Sequence, residues 1–280
     1  MKYYRPVSEP ELLDLLGTLD QSNYTLLAGG TDLMPRFESG MELPLHLVDL
    51  KGIDCFSGIN DRGDNIEIGS LTTIDALRKS DLIHQSFQAL WQATDQFAAT
   101  QIRNRATIGG NICNASPAGD TLPPLYAYQA QVRIIGPAGE RQVPIADFIS
   151  GPGKTALNPS EILFSVILPK AAGFSTFYKL GLRQAMAVSV INFAVVAVVD
   201  REKKVFNKLT IAAGSVAPTV KYLNKLAGAL QNNGNGIDGI IDLVDQDISP
   251  IDDIRATAAY RRKALKNILA FTLKELVNKR

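Results

Sequence analysis

The chain has 280 residues, with 29 Lys and Arg against 28 Asp and Glu and a formal net charge of +1. That balance advertises no basic face for nucleic acid or anionic lipid, and the length suffices for two ordinary domains. Two cysteines and two histidines, without C-x-x-C or H-E-x-x-H spacing, encode neither a disulfide framework nor a zinc or iron–sulfur site, and they carry no hydrolase motif.

Residues 8–19 read as an amphipathic helix in which Ser8 is the cap, Glu11 sits at the capping-box position, and Leu12, Leu15, Leu16 and Leu19 share a face. A strand over 24–27 ends at Ala28-Gly29-Gly30-Thr31-Asp32, a junction that reads as strand to loop rather than strand to helix. Further strands are expected at 46–49 and 66–70, then helix at 73–79 and 81–83, and a longer helix over 87–100. Residues 131–135 and 142–145 should pair as a hairpin across Gly136-Pro137-Ala138-Gly139-Glu140. A strand at 161–168 is closed by Pro169, and composition changes across 170–173, where the domain boundary is placed. Strands at 174–181, 189–201 and 208–214 follow, then helices at 220–231 and 255–277, with a loop at 232–236. The apolar run 188–199 contains Ser189 and Asn192 and is too short to span a bilayer, so it reads as a buried strand. No apolar signal region precedes residue 10, which makes the cytoplasm the expected location.

Two segments stand apart from core and surface patterning. A diphosphate needs several backbone N–H groups aimed at one point, and so glycines that take positive φ or allow close approach. Gly29-Gly30-Thr31-Asp32 fits, with Thr31 as an added donor and Asp32 able to accept local amides, although a bare Gly-Gly turn is often only a connection. The stretch from Thr107 through Gly109, Gly110, Asn111 and Ser116 to Asp120 combines a second glycine pair with many small polar side chains, which suit a hydroxylated, phosphorylated ligand. The competing reading is a long ordered surface loop. Neither segment has G-x-G-x-x-G opening a helix, so a Rossmann site is disfavoured. Gly153-Lys154-Thr155 is no P-loop, because Phe148 stands where the first glycine belongs; residues 151–153 read as a turn.

With both segments quoted, the chain resembles over its whole length the FAD-binding subunit of the molybdenum hydroxylases, the group that includes xanthine, carbon monoxide and nicotinate dehydrogenases. Ala28-Gly29-Gly30-Thr31-Asp32-Leu33 resembles the family's first FAD loop. Gln101-Ile102-Arg103-Asn104, then Thr107 to Asn111, Ser116-Pro117 and Asp120, resemble the second. Glu161-Ile162-Leu163, Tyr178-Lys179-Leu180-Gly181 with Arg183, and the tail from Arg255 to Arg262 resemble later family segments.

The resemblance implies an α+β protein: a two-subdomain FAD-binding domain of vanillyl-alcohol oxidase (PCMH) type over 1–170, split near 55–60, then a smaller α+β C-terminal domain of CO dehydrogenase flavoprotein type over 171–280. It implies FAD as cofactor, bound between the subdomains, with Gly29, Gly30, Thr31 and Asp32 on the diphosphate, Gly109, Gly110 and Asn111 facing it from the opposite side, and Ala28, Leu33 and Thr107 also cofactor-binding. Ser116 and Asp120 would hold ribose or ribityl hydroxyls, with Phe97, Leu163 and Lys179 nearer the ring. The bland alternatives are core packing for Phe97 and Leu163 and a solvated strand position for Lys179. Neither a catalytic nor a metal-binding residue is implied on this chain. The implied partners are a large molybdenum-cofactor subunit and a small subunit with [2Fe-2S] clusters, in a heterotrimer that pairs into a heterohexamer, with NAD or another electron acceptor; nucleic acid and a membrane span are not expected. Gly119 departs from the usual Ala or Ser, and Leu182 and Gln184 flank Arg183 where basic residues are common. Two other functions stay open: a self-contained FAD oxidase or reductase, and a flavin-less scaffold.

Overall fold

In the computed structural model, which describes residues 1–171, 173–200, 202–233 and 236–278, the chain forms two compact units, each drawn from three stretches. The first comprises Met1–Lys79, Ala99–Ala115 and Ala130–Pro169, and the second Ser80–Ala98, Ser116–Gln129 and Lys170–Arg280.

The first unit opens with a parallel three-stranded sheet of β1 (Lys2–Tyr4), β2 (Tyr24–Leu27) and β3 (His46–Asp49), in the order β1-β3-β2. Helix α1 (Glu9–Thr18) is capped as expected: the Ser8 hydroxyl accepts from the Glu11 amide, and the Glu11 carboxylate accepts from the Val7 amide at 2.8 Å. Its Leu12 and Leu16 are fully buried in a cluster with Val48, Ile53 and Phe56. A helix that the sequence reading lacked, α2 (Leu33–Glu38), follows β2 after the loop at 28–32.

An antiparallel sheet makes the other half of this unit. Its strands are β4 (Ile59–Asp61), β5 (Asn65–Gly69), β6 (Gln131–Gly136), β7 (Gly139–Pro144) and β10 (Ile162–Pro169), ordered β4-β5-β10-β6-β7. Gly139 takes φ +101° at the expected hairpin. A small hairpin of β8 (Ile149–Gly151) and β9 (Lys154–Thr155) closes through Gly153 at φ +68°, which is the turn expected there. Around the sheets lie α3 (Ile74–Lys79), α6 (Thr100–Arg103), α7 (Ile108–Asn114) and α9 (Ile145–Phe148).

The second unit is built on a four-stranded antiparallel sheet of β11 (Phe174–Gly181), β12 (Ser189–Asp200), β13 (Val205–Gly214) and β14 (Lys221–Tyr222). Both faces of β12 are covered, which is why its sequence is nearly continuously apolar. Ile191, Phe193, Val195 and Ala197 alternate onto a core with Leu226 and Leu230 of α10 (Asn224–Asn233) and Leu265, Leu269 and Leu273 of α12 (Ala258–Asn278). Helices α4 (Asp81–Ser86), α5 (Gln88–Asp95), α8 (Leu122–Ala127) and α11 (Ile237–Ile240) complete the unit; α8 packs on β12 and β13, and α5 on β11.

Three expected helices change. The one expected over 87–100 is interrupted after Asp95, where Ala98 takes a left-handed φ of 37°, and resumes as α6. The one expected from 220 starts at Asn224, because Lys221 and Tyr222 pair with β13 instead. The last helix starts at Ala258, since the Arg255 and Ala256 amides turn onto the Asp253 carboxylate. Of the loop expected at 232–236, residues 232 and 233 end α10, and 234 and 235 lie outside the described residues.

Arg141 reaches from β7 to Glu161 with a bidentate pair at 2.8 and 2.7 Å. Those bonds hold the Glu161 carboxyl down at about 2. A depressed carboxylate stabilises the fold above its unfolded pKa and ceases to do so as pH falls through its folded pKa. Glu161→Gln should therefore cost about 1–2 kcal/mol near neutral pH, allowing for the one-third exposure of Arg141. That difference should vanish as pH falls from about 4.5 toward about 2, as read from urea denaturation of both proteins.

Candidate flavin-binding site

The loop between β2 and α2 owes its path to two glycines used in different ways. Gly30 takes φ +74°, a conformation that side chains other than glycine rarely adopt. Gly29 does not: a Cβ there would lie 1.9 Å from the carbonyl oxygen of Arg105, so the position demands close backbone approach. Among the described residues, the backbone N–H groups of Gly29, Gly30, Thr31, Asp32 and Leu33 donate no hydrogen bond. Buried backbone donors left unsatisfied are uncommon in folded chains, and Gly29 in this run is buried. A run of them on a left-handed turn forms a concavity for an anion, and a diphosphate fits that donor set.

The second glycine segment is not the loop that its composition suggests; it opens helix α7. Thr107 is the cap, its hydroxyl accepting from the Gly110 amide at 3.1 Å, and the Ile108 and Gly109 amides donate to the carbonyls of Thr72 and Ser70. A Cβ on Gly109 would lie 2.5 Å from the Ser70 Cβ, so this glycine again serves close packing. Neither Gly109 nor Gly110 has a positive φ. Gly110 is exposed, and a Cβ on it would meet Thr107 Oγ1 at 2.9 Å and Ala28 Cβ at 3.9 Å, which places its bare face beside the first loop. Asn111 is half-buried one residue further on, and Ala115 ends the helix at φ 47°. Burial pushes the Cys113 thiol up to about 12, which removes it as a nucleophile.

Two cations missed by the sequence reading flank the first loop. Arg36 pairs through Nε with Asp32 at 2.7 Å and donates to the Asn114 Oδ1 at 2.9 Å, tying α2 to α7. Asp32 thus holds a guanidinium and not the local amides expected for it. Its spacing to Arg36 is a helical ion-pair signal that sequence alone carries. Lys51 donates to the Ala28 carbonyl at 3.1 Å and to the buried Asp49 at 2.7 Å. Burial pushes the Asp49 carboxyl up, but the hydrogen bonds from Lys51 and Tyr3 outweigh it and hold the group below the usual carboxylate range. Nothing in the local pattern around Lys51 marks it. Leu163, also in this unit, is buried on β10 opposite Ile134.

In the second unit, Ser116 starts a turn in which the Gly119 amide donates to its carbonyl, and its hydroxyl accepts from Ala118. Lys179 on β11 is not a solvated strand lysine. Its side chain is 8% exposed and is ion-paired at 2.5 Å with Asp120, whose side chain is 9% exposed. It also donates to the carbonyl of Gln96, next to the half-buried Phe97. Both oxygens of Asp120 are engaged inside the protein, Oδ2 by Lys179 and Oδ1 by Ser189 and Asn192.

Residues 1–171 match the family described as the FAD binding domain in molybdopterin dehydrogenase, and residues 176–276 match the CO dehydrogenase flavoprotein C-terminal domain. The chain is similar to the putative xanthine dehydrogenase FAD-binding subunit XdhB of Escherichia coli, at 32% identity covering 98% of this chain and 95% of that one. It is also similar to the carbon monoxide dehydrogenase medium chain of Hydrogenophaga pseudoflava, at 30% identity covering 93% and 91%, and to the nicotinate dehydrogenase FAD-subunit of Eubacterium barkeri, at 33% covering 71% and 69%. Among solved structures, a chain of the Cu,Mo-CO dehydrogenase superposes with a TM-score of 0.92 at 28% identity, covering 99% of this chain and 97% of that one.

The glycines separate by what a methyl group would strike. Gly29→Ala should destabilise the FAD-free protein by about 2–4 kcal/mol, because the backbone of Arg105 must move. Gly110→Ala should cost less, about 1 kcal/mol, because its Cβ would press on the Thr107 hydroxyl and not on backbone. Equal midpoints in chemical denaturation would mean that Gly29 is not held by close approach.

Proposed function

The chain belongs to the FAD-binding subunits of the molybdenum hydroxylase family, and from that membership we propose that it is the electron-transfer flavoprotein of a multi-subunit dehydrogenase. It takes electrons from [2Fe-2S] clusters on a small partner subunit and passes them to NAD or another acceptor, while substrate is oxidised at a molybdenum cofactor on a large subunit. The chemistry that FAD supplies when bound is the exchange of electrons one or two at a time. Relatives of this chain are named for dehydrogenases of xanthine, nicotinate and carbon monoxide. One scaffold common to such different substrates supports a reading in which substrate is handled by another subunit.

The observation that carries the reading is the open row of amides from Gly29 to Leu33. These dipoles would hold the diphosphate, with the Thr31 hydroxyl as a further donor and the exposed face of Gly110 giving the ligand room. Thr107 and Gly109 act more indirectly, through the cap of α7 and its seat on Ser70. Lys179 would set positive charge toward the ring, where reduction builds negative charge. Ala28, Asn111, Ser116, Phe97 and Leu163 complete the proposed lining.

The visible spectrum of the purified chain, before and after addition of FAD, tests this. One FAD per chain is expected, without iron–sulfur absorbance, and with turnover only when partner subunits are supplied. Turnover of an alcohol or enol by the isolated chain would replace the proposal with a self-contained oxidase, and a folded chain that takes up no FAD would replace it with a scaffold. Gly110→Asp should abolish FAD binding while leaving the fold intact, because it sets a carboxylate against the diphosphate. Stoichiometric FAD in that variant would refute the placement of α7 beside the cofactor.

A further inference from the structure

The Asp120–Lys179 pair sits at one end of a buried hydrogen-bonded chain that runs through the second unit to the start of α12. On β11 and β12, Lys179 lies directly opposite Asn192, so the two side chains are cross-strand neighbours. Strand alternation would send Ser189 and Asn192 to opposite faces. A register shift at the start of β12, where Gly181 pairs with Ser189 and Val190 is passed over, brings both to Asp120 Oδ1, at 2.6 and 3.1 Å.

The backbone around Ser189 is pinned in turn. The Ser215 hydroxyl donates to the Ser189 carbonyl at 3.2 Å. The guanidinium of Arg261, 3% exposed, donates to the carbonyls of Val190 and Ser215 and pairs with Asp253. Asn192 is fully buried, yet its Oδ1 has no hydrogen-bond partner among the described residues, and a Cβ on the opposite Gly214 would stand 2.2 Å from that atom. An unpaired buried acceptor opposes folding, and an apolar side chain would avoid that loss. What the asparagine adds is the Nδ2 donor to Asp120.

We propose that Ser189, Asn192 and Arg261 are positioning residues of the flavin site, fixing the Asp120 carboxylate and through it the direction of the Lys179 ammonium. The inference rests on the FAD-binding reading above. An ammonium has three N–H donors, and two of those on Lys179 go to Asp120 and Gln96. The third has no acceptor among the described residues, on a side chain almost out of solvent. A ligand acceptor fits it. A carboxylate held on both oxygens cannot swing, so the third donor keeps one direction.

A double-mutant cycle on FAD affinity tests this in the full chain. Ser189→Ala should weaken FAD binding roughly 5–10-fold where Lys179 is present, and by less than about twofold in a Lys179→Met background. In ligand-free protein, the ammonium proton resonance of Lys179 should be sharp in the wild type and broadened in Ser189→Ala. Equal losses in both backgrounds, or no loss with Lys179 present, would overturn the proposal by reducing Ser189 to a packing role. If Ser189→Ala does not fold, Asn192→Leu replaces it in the same cycle, and additivity there overturns the proposal equally. A wild-type chain that binds no FAD refutes the function reading and this inference together, whereas a loaded wild type with additive variants refutes this inference alone.

Discussion

The loop after β2 can lie against the backbone of Arg105 only because position 29 carries no side chain. The same constraint recurs where Gly109 seats the first turn of α7 on Ser70. Contacts of this kind hold a chain close without using its amides, which is why Gly29 to Leu33 reach their place with the N–H groups still open. In α7 the reverse holds, since the amides of Ile108, Gly109 and Gly110 are all satisfied within the protein. Two glycine pairs of similar appearance thus do different things. One leaves a row of donors open; the other lets a helix pack tightly and keeps its exposed side bare.

Three ion pairs involve residues singled out above. Asp32 holds Arg36, Asp49 holds Lys51, and Asp120 holds Lys179. A diphosphate arriving at the first loop would meet oriented backbone dipoles beside two cations, Arg36 and Lys51, that are already paired. The pairs differ in what they are worth. Asp32–Arg36 is half-exposed and contributes little to stability by itself, whereas Asp120–Lys179 is nearly buried, and loss of either partner would strand a charge.

Much of this was legible in the sequence, and the misses have physical causes. The capped first helix, the strands at 46–49 and 174–181 and the apolar run of β12 follow directly from periodicity and turn residues. Short helices did not, because α2 and α7 are too brief to show a period, and α7 is made of small residues that composition alone assigns to a loop. The two glycine segments could be read as a ligand site, but not the division between close approach and positive φ, which depends on what lies opposite. Lys179 and Asp120 were singled out, while Ser189 and Asn192, which hold Asp120, were hidden inside a strand that reads as plain core. Burial of a polar side chain is decided by its cross-strand neighbours, and no local window contains them.

The two family matches meet between residues 171 and 176, yet the compact units do not divide there alone. Helices α5 and α8, which cover β11, β12 and β13, are contributed by stretches far upstream of that joint. A C-terminal fragment cut at the joint would lack α5 and α8, and with them the cover that these helices give β11, β12 and β13. During synthesis those helices must likewise wait about sixty residues or more for the strands that they cover, so the second unit cannot close until nearly the whole chain has emerged. What looks in sequence like two modules in tandem is interleaved, because the second unit takes two of its three stretches from within the first family match.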